Sequence, residues 1–420
     1  MSSPTRRIAH AARRVVTCDP NRATLDDPLG VIEDGVIITE GSRILHVGRR
    51  AEHPQEAVID HGDVVITPGL VDAHTHACWA GSRHGEYAVR MAGGDYEAIA
   101  RAGGGILSTQ RAVSASSLGD LVSSLSARLR RMATLGVTCV EVKSGYGLEP
   151  DIERRQLLAI QRAASSSSLP RVIPTYLALH ALPPSAVADR SGYVRRAAEE
   201  LIPELAAARL AEFVDAYVDE NAFTVPEARR VGQAARQAGL GVRLHVGQFA
   251  DVGGAELAAE LDAASADHVE HVSAAGVTAL ARSRTAAVLL PTASFTLQQS
   301  PPPIQALRDA GVTLVVASDA NPGTAPTESL PLAMAFAVRA YGLTPHEAIL
   351  GATRHAAATL GHGGASSREA RGVLQPEAAA DIVVWDLPHE LALIQPWGVS
   401  RTRLVIRDGL VIYDCASAGV

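Results

Sequence analysis

Two histidines separated by a single residue, His74 and His76, give the strongest chemical signal in this sequence. They follow the apolar run Val64-Val-Ile66 and the segment Pro68-Gly-Leu-Val-Asp-Ala. Residues two apart on a β-strand share a face, so both imidazoles can reach one point beyond the end of the strand. Two imidazoles directed at one point form half of a typical four-coordinate zinc site. This spacing therefore predicts a metal centre at the end of a strand.

Two later apolar runs also end in residues that bind metals. Gly241-Val-Arg-Leu-His245 ends in a histidine, and Leu314-Val-Val-Ala-Ser-Asp319 ends in an aspartate. Taken alone, His245 also fits a hydrogen-bonded core histidine, and Asp319 also fits a helix N-cap before Asn-Pro-Gly. Their shared position favours ligands instead. Three imidazoles with one carboxylate suit a single divalent metal ion, either Zn or Fe.

A further histidine, His268, lies in the strand candidate of the segment Ser265-Ala-Asp-His. We expect His268 to lie at the same site as the ligands. His271 is three residues further on, so it cannot share a strand face with His268. A role in support of the site and a purely structural role fit His271 equally well.

Bringing these residues together requires strands that end at one face. Eight strand candidates occupy the middle of the chain, namely Val64–Val71, Val137–Val142, Arg171–Leu177, Phe213–Val218, Val242–Val246, Ala266–His271, Ala287–Pro291 and Thr313–Ala317. Ala-rich amphipathic stretches lie between them, such as Leu118–Leu135, Ile152–Ala164, Tyr193–Arg209 and Pro226–Ala238. This alternation predicts an α/β fold, a (β/α)8 TIM-like barrel, whose active site lies at the C-terminal ends of the strands.

The two ends of the chain differ from its middle. They contain short β-branched runs bounded by glycine or charge, such as Gly35-Val-Ile-Ile-Thr and Asp381-Ile-Val-Val-Trp, which are typical of strands and turns. We expect both ends to build one small β-sandwich domain. The predicted domains are therefore a composite β-sandwich of residues 1–66 and 363–420, and a metal-dependent hydrolase barrel of residues 67–362.

Composition narrows the classes of function. The chain has 420 residues, of which 47% are hydrophobic, so it can bury a large core. Its apolar runs fall short of the roughly 20 residues that a membrane helix needs. No signal peptide is evident, so we expect a cytoplasmic protein without a membrane partner. Four dispersed cysteines fit free thiols in a reducing compartment. The net charge of −7 argues against a nucleic-acid partner.

A single lysine, Lys143, stands among 38 basic residues, and all the others are arginines. A lysine that persists in such a chain can do what a guanidinium cannot, because the two groups differ in shape and in hydrogen-bonding geometry. Survival by chance is the alternative. We expect a function for Lys143.

Several longer stretches carry a family resemblance. They are Gly81-Ser-Arg83, Gly103-Gly-Gly-Ile-Leu-Ser-Thr, Glu141-Val-Lys-Ser-Gly-Tyr146-Gly-Leu, His180-Ala-Leu-Pro and Ser318-Asp-Ala-Asn321-Pro-Gly-Thr. Together with the order of the candidate ligands, they resemble the amidohydrolase superfamily of metal-dependent hydrolases and, within it, the imidazolonepropionase family. The resemblance runs over nearly the whole chain. It implies hydrolysis of the cyclic amide of 4-imidazolone-5-propanoate to N-formimidoyl-L-glutamate, a step of histidine degradation.

The same resemblance implies a role for individual residues. The family's metal ligands fall on His74, His76, His245 and Asp319, its substrate contacts on Arg83, Tyr146, His180 and Tyr96, and its product contacts on Asn321, Gly323 and Thr324. Arg83 can grip the propanoate carboxylate bidentately. The loop that begins at Asn321 can offer backbone N–H groups to the carboxylates of the product.

Residue 248 departs from the family pattern. Family members commonly carry a substrate-contacting glutamate three residues after the strand-five histidine, where this chain has Gln248. A glutamine can still hydrogen-bond the substrate ring, but it cannot take a proton. We therefore assign proton transfer to Asp319 and polarisation of the substrate carbonyl to His268. We expect Lys143 to hold the loop that carries Tyr146.

Two other functions stay open. Another mononuclear amidohydrolase or deaminase, acting on a different N-heterocycle, would use the same ligands. The loops of Arg83, Tyr146 and Asn321 favour a substrate that carries carboxylates. A catalytically inactive barrel that serves as a scaffold is the alternative from another class, and the intact ligand set argues against it. We expect a small-molecule substrate and a homodimer.

Overall fold

The computed structural model describes residues 7–54, 57–93, 104–363 and 369–417. Within these ranges every helix is too short or too polar to cross a lipid bilayer. The described residues form two sheets of eight strands each. One is the predicted barrel, and the other is a separate sheet drawn from both termini, so the predicted fold class is confirmed. The residue ranges of the two domains remain a prediction.

The strands follow the chain in three groups. The terminal sheet begins with β1 (Arg7–Val16), β2 (Val31–Glu40), β3 (Arg43–Arg49), β4 (Val58–Asp60) and β5 (Val65–Pro68). The barrel comprises β6 (Leu70–Asp72), β7 (Val137–Lys143), β8 (Arg171–Leu179), β9 (Phe213–Val218), β10 (Gly241–Val246), β11 (Ser265–His268), β12 (Ala286–Leu289) and β13 (Leu314–Val316). The terminal sheet is completed by β14 (Ile382–Trp385), β15 (Thr402–Arg407) and β16 (Leu410–Asp414). Each barrel strand pairs in parallel with the next. Almost all barrel-strand residues are buried, which explains their continuous apolar runs.

Helices connect the barrel strands, and capping residues mark several of their starts. Ser117 Oγ accepts the N–H of Asp120, whose carboxylate accepts the N–H of Ser117 in return. The α-helices span His84–Met91, Ile106–Ala115, Leu118–Ala133, Pro150–Ala164, Arg190–Arg196, Ile202–Ala207, Val225–Gln237, Gly254–Glu260, Ala274–Arg282, Pro291–Leu297, Ile304–Asp309, Leu330–Tyr341, Pro345–Gly351 and Arg354–Thr359. A π-helical turn, Ala197–Leu201, interrupts the helix expected over Tyr193–Arg209, and 3-10 turns span Arg50–Glu52, Pro184–Asp189 and Glu390–Ile394.

The first and last barrel strands meet through the segments that carry the candidate ligands. Thr75 and Ala320 form a parallel bridge between these segments. The N–H of Asp319 donates to the carbonyl of His74, and the N–H of His76 donates to the carbonyl of Ala320, each at 3.0 Å. Closure of the barrel therefore fixes the backbones of three candidate ligands relative to one another.

The apolar run before the histidines contributes to both sheets. The single strand expected over Val64–Val71 is wrong, because β5 pairs with β1 and β14 in the terminal sheet, whereas β6 pairs with β7 in the barrel. Gly69 lies at the switch, and its N–H donates to the carbonyl of Asp381. A Cβ at Gly69 would collide with the Thr138 side chain, so only glycine fits between the two sheets. One hydrophobic core runs through both sheets and includes the fully buried Trp385.

Candidate active site

Four buried side chains converge at the C-terminal end of the barrel. His74, His76 and His245 place nitrogen atoms within 4.8 Å of one another. The Nε2 atoms of His76 and His245 are 3.3 Å apart. Asp319 Oδ1 lies 3.5 Å from His76 Nε2 and 3.6 Å from His74 Nε2. The structure thus brings together the four residues that the sequence predicts as ligands.

Two buried carboxylates orient two of these histidines. His74 Nδ1 is 2.6 Å from Asp267 Oδ2, and His245 Nδ1 is 3.0 Å from Asp215. If each Nδ1 carries the proton and donates it to its carboxylate, each Nε2 keeps a lone pair directed at the centre. A carboxylate behind a histidine is the usual support of a metal ligand. Burial alone would raise the pKa of Asp215, but the His245 ring and the Lys143 ammonium lower it below its usual range.

The electrostatics of the cluster fit a divalent cation. Burial, together with nearby positive groups, lowers the pKa of His74 and of His76 well below the usual value. Both rings are therefore neutral, as metal ligands must be. Burial raises the pKa of Asp319 to about 7. Within the described residues, His74 Nε2 and Asp319 Oδ1 are buried without a hydrogen-bond partner. A metal ion would satisfy both atoms.

His268 lies beside the four converging residues, where the sequence places it. Its ring centroid is 5.6 Å from that of His245 and 6.1 Å from that of His74. Burial alone would lower the pKa of His268, but Glu270, whose Oε2 is 3.5 Å from His268 Nδ1, raises it above the usual value. Ser294 Oγ donates to Glu270 Oε1 at 2.6 Å, which fixes this carboxylate.

His271, in contrast, is exposed. Its backbone N–H donates to the carbonyl of Gly247 at 2.8 Å. Of the two roles that the sequence left open, the structural one agrees with this exposed position.

The loop of Tyr146 packs against the cluster. The Tyr146 and His180 ring centroids are 5.3 Å apart, and the His180 ring stacks on that of His76 at 5.2 Å. His180 Nδ1 is 2.7 Å from the Gly145 carbonyl, and burial lowers the pKa of His180 to about 4. The loop is held by Glu153, which accepts the N–H groups of residues 145 and 148.

Lys143 does not hold this loop, so that expectation is wrong. Its side chain is fully buried inside the barrel, and its Nζ lies 2.8 Å from Asp215 Oδ2 and 2.9 Å from Glu141 Oε1. A strand residue alternates with its neighbours between the two faces of the sheet, and Lys143 points into the barrel rather than along the loop that follows it.

Arg83 lies at the edge of the site, on the side of the Asn321 loop. Its Nη2 is 2.8 Å from Glu86 Oε2, and its side chain is 11% exposed. A Cβ added at Gly323 would collide with Arg83 Nη1, so the guanidinium lies directly over this glycine. Tyr96, another predicted substrate contact, lies outside the described residues.

The backbone N–H groups of the Asn321 loop donate to the Asn321 side chain within the same loop. Asn321 Oδ1 accepts the N–H groups of Gly323 at 2.8 Å and of Thr324 at 2.7 Å. Asn321 Nδ2 donates to the carbonyl of Asp319 at 2.8 Å. The expectation that these N–H groups meet the product carboxylates is not met in this structure. Instead, Asn321 fixes the backbone next to Asp319.

Gln248 is buried and held through its carbonyl oxygen. The Tyr217 hydroxyl donates to Gln248 Oε1 at 2.9 Å, and the Tyr217 ring centroid is 5.8 Å from that of His245. Gln299 Nε2 donates to the backbone carbonyl of Gln248 at 2.7 Å. Gln248 thus accepts from Tyr217 through Oε1, and its side-chain donor is the amide nitrogen Nε2.

Sequence reasoning missed the residues that support the site. They are Glu141, Asp215, Tyr217, Asp267 and Glu270. The sequence did point to three of them. Glu141, Asp215 and Asp267 are acidic residues within strands that are almost entirely buried. Buried carboxylates are rare unless they are paired, so each of these positions predicts a partner.

Comparison with known proteins agrees with this geometry. The model of the amidohydrolase family matches residues 65–412. The chain is 43% identical to the imidazolonepropionase of Ralstonia nicotianae, over 91% of this chain and 94% of that protein. It is 42% identical to the imidazolonepropionase of Caulobacter vibrioides, over 94% and 98% of the two chains.

Solved structures share the fold at low sequence identity. A triazine hydrolase variant matches with a TM-score of 0.69 and 18% identity, over 97% of this chain and 95% of that chain. An adenosine deaminase from Xanthomonas campestris with bound zinc matches with a TM-score of 0.67 and 19% identity, over 96% and 92%. At this identity the likeness extends to the fold alone.

Proposed function

Because this chain belongs to the amidohydrolase family and, within it, to the imidazolonepropionases, we propose that it hydrolyses the ring amide of 4-imidazolone-5-propanoate to N-formimidoyl-L-glutamate. This reaction is a step of histidine degradation, and its substrate is a small molecule. The observation that most supports it is the convergence of three buried imidazoles and Asp319 at the barrel end where Arg83 also lies.

The enzyme is metal-dependent, and His74, His76, His245 and Asp319 would hold one divalent ion, Zn or Fe. Their nitrogen and oxygen atoms suit both metals. When bound, such an ion makes water a nucleophile near neutral pH by lowering its pKa. A cytoplasmic location and the absence of a nucleic-acid partner are further parts of the proposal, and both rest on the sequence. We also propose a homodimer, because dimers are the commonest oligomers of soluble proteins.

Asp319 and His268 carry out proton transfer and charge stabilisation during hydrolysis. Water adds to the ring carbonyl carbon, the C–N bond breaks, and the leaving nitrogen takes a proton. Asp319 accepts the proton of the water and then delivers it to that nitrogen. His268, whose Nδ1 faces Glu270, directs its other nitrogen at the carbonyl oxygen and stabilises the charge that develops there.

The residues that surround the four ligands orient the substrate. Arg83 binds the propanoate carboxylate, Tyr146 and His180 contact the substrate beside His76, and Gln248 donates its amide N–H to the ring. The segment of Asn321, Gly323 and Thr324 forms the wall beneath Arg83. Tyr96 completes the predicted contacts.

The direct test is to incubate the purified protein with 4-imidazolone-5-propanoate and to measure N-formimidoyl-L-glutamate by mass spectrometry. We expect ring opening without release of ammonia. Release of ammonia from another N-heterocycle, without ring opening of this substrate, would favour the deaminase alternative. A metal-loaded protein that turns over neither type of substrate would favour the inactive scaffold.

Replacing Gln248 by glutamate should change kcat by less than about tenfold, which is 1.4 kcal/mol of barrier. The reason is that Asp319 and His268 already supply a base and an electrophilic partner, so residue 248 needs only to hydrogen-bond the ring. Gln248→Ala should slow the reaction more, because it leaves a buried ring group unpaired at a cost of about 1–3 kcal/mol. Steady-state kinetics of the three proteins check this order.

Tyr217→Phe provides the matched control, since it removes the hydrogen bond to Gln248 Oε1 but keeps the amide itself. Its effect should be smaller than that of Gln248→Ala. A weakly active parent that Gln248→Glu rescues a thousandfold would show that the wild-type chain acts on a different substrate or is degenerate.

A further inference from the structure

The only lysine of the chain lies at the centre of a buried group of carboxylates. Lys143 ends strand β7 and has no exposed surface. Its Nζ is 2.8 Å from Asp215 Oδ2, 2.9 Å from Glu141 Oε1 and 3.9 Å from Asp267 Oδ2. All three carboxylates are themselves fully buried. One ammonium group therefore faces three acidic side chains from three barrel strands.

Each of these carboxylates holds a different part of the ligand set. Asp215 binds His245 Nδ1 at 3.0 Å, and Asp267 binds His74 Nδ1 at 2.6 Å. Glu141 Oε2 accepts the N–H of Thr75 at 3.1 Å, and Thr75 is the residue between the two histidines of the H-x-H pair.

We propose that Lys143 is the positioning residue of the metal centre. Its ammonium binds Glu141 and Asp215 and lies next to Asp267, and these three carboxylates orient the His74–His76 segment, His245 and His74. The inference rests on the metal site of the proposed function. It assigns Lys143 no contact with the substrate or with the reacting atoms.

The geometry of the group explains why residue 143 is a lysine and not an arginine. An ammonium is a compact point charge with three donors that can point to three separate oxygens, whereas a guanidinium is a planar fork. Arg243, which also lies near Asp267, illustrates the difference. Its guanidinium reaches across strands to the carbonyls of Ala73 at 2.9 Å and Thr359 at 3.1 Å, and lies 3.6 Å from Asp267.

The experiment measures metal affinity rather than catalysis. Apo-protein is titrated with Co²⁺ against a chromophoric chelator, and the visible absorption spectrum of bound Co²⁺ reports the ligand arrangement. Lys143→Met should bind Co²⁺ about tenfold more weakly, at the lower end of the 10–100-fold loss typical of outer-shell partners. Its Co²⁺ spectrum should also change.

Val142→Ala is the matched control. Val142 is a buried neighbour on the same strand, and its side chain points to the opposite face of the sheet. It should lower thermal stability while Co²⁺ affinity and spectrum stay those of the wild type. Lys143→Arg should keep neither the wild-type Co²⁺ affinity nor the wild-type spectrum, because a planar guanidinium differs in shape from an ammonium.

Lys143→Met removes the ammonium that pairs with the buried carboxylates of Glu141 and Asp215, and this loss can unfold the chain. The double variant Lys143→Met/Glu141→Gln removes one charge of each sign, so it restores the balance and keeps the test decisive. It should fold and still bind Co²⁺ more weakly than the wild type. Folded Lys143 variants with wild-type affinity and spectrum would overturn the inference. A wild-type protein that binds no Co²⁺ at all would instead refute the metal site of the proposed function.

Discussion

Replacing His76 by alanine should remove most of the bound metal and lower kcat/KM by more than about 100-fold, the upper limit for loss of a mere outer-shell partner. His76 Nε2 lies within 3.5 Å of both His245 Nε2 and Asp319 Oδ1, so its removal opens one side of the centre. The fold should survive the substitution. Among the described residues His76 Nδ1 has no hydrogen-bond partner, so its removal leaves no group there unpaired.

Elemental analysis of the wild type should find about one Zn or Fe per chain, and the variant should retain little of either. His271→Ala is the control, since His271 is an exposed histidine near the same end of the barrel. It should keep both metal and activity. Two metal ions per chain, or an active enzyme without metal, would contradict the proposed mononuclear centre.

Replacing Arg83 by alanine should lower kcat/KM for 4-imidazolone-5-propanoate by about 30-fold or more. Loss of one partner of a desolvated charge pair costs about 2–5 kcal/mol, and each 1.36 kcal/mol is tenfold in rate. The side chain of Arg83 is mostly buried over Gly323, so solvent screens its charge only weakly. Metal content should not change, because Arg83 lies outside the ligand set.

Two controls separate carboxylate binding from general damage. Arg229→Ala removes a surface arginine that makes a similar two-pronged pair with Glu260, and it should leave kcat/KM unchanged. A 4-imidazolone without the propanoate group should react equally slowly with the wild type and with Arg83→Ala. An unchanged kcat/KM for the natural substrate would show that Arg83 merely pairs with Glu86.

The convergence of His74, His76, His245 and Asp319 could be predicted because it depends on a simple rule. The C-terminal ends of parallel strands meet at one face of a barrel. A residue at the end of each strand candidate therefore shares that face, whichever way the helices between the strands pack. His268 follows from the same rule.

The partners behind the histidines depend on strand register, which the sequence does not state. In the parallel ladder, His245 lies opposite Tyr217 on β9 and opposite Asp267 on β11. The carboxylate that binds His245 is Asp215, two residues before Tyr217, and the one that binds His74 comes from β11 on the far side of the barrel. The first contact is diagonal between neighbouring strands and the second crosses the barrel interior, so both become visible only once the strands are in register.

Two other predictions failed for local reasons, namely the product contacts of the Asn321 loop and the single strand over Val64–Val71. The Asn321 side chain is close enough to take the N–H groups of its own loop, as asparagines in turns commonly do. A motif therefore identified the right segment but not which atoms remain available to a ligand. Similarly, the apolar run before His74 carries no mark of the change of sheet except Gly69, where a side chain would collide with Thr138.

The burial of Lys143 has a practical consequence for anyone who handles the protein. Because this is the only lysine, the folded chain presents no side-chain amine to amine-reactive labels, to aldehyde fixatives or to enzymes that acylate lysine. Labelling of Lys143 then requires the barrel to open. The rate at which an amine-reactive dye attaches to this residue therefore measures, with one built-in reporter and no mutation, how often the core of the active-site barrel unfolds.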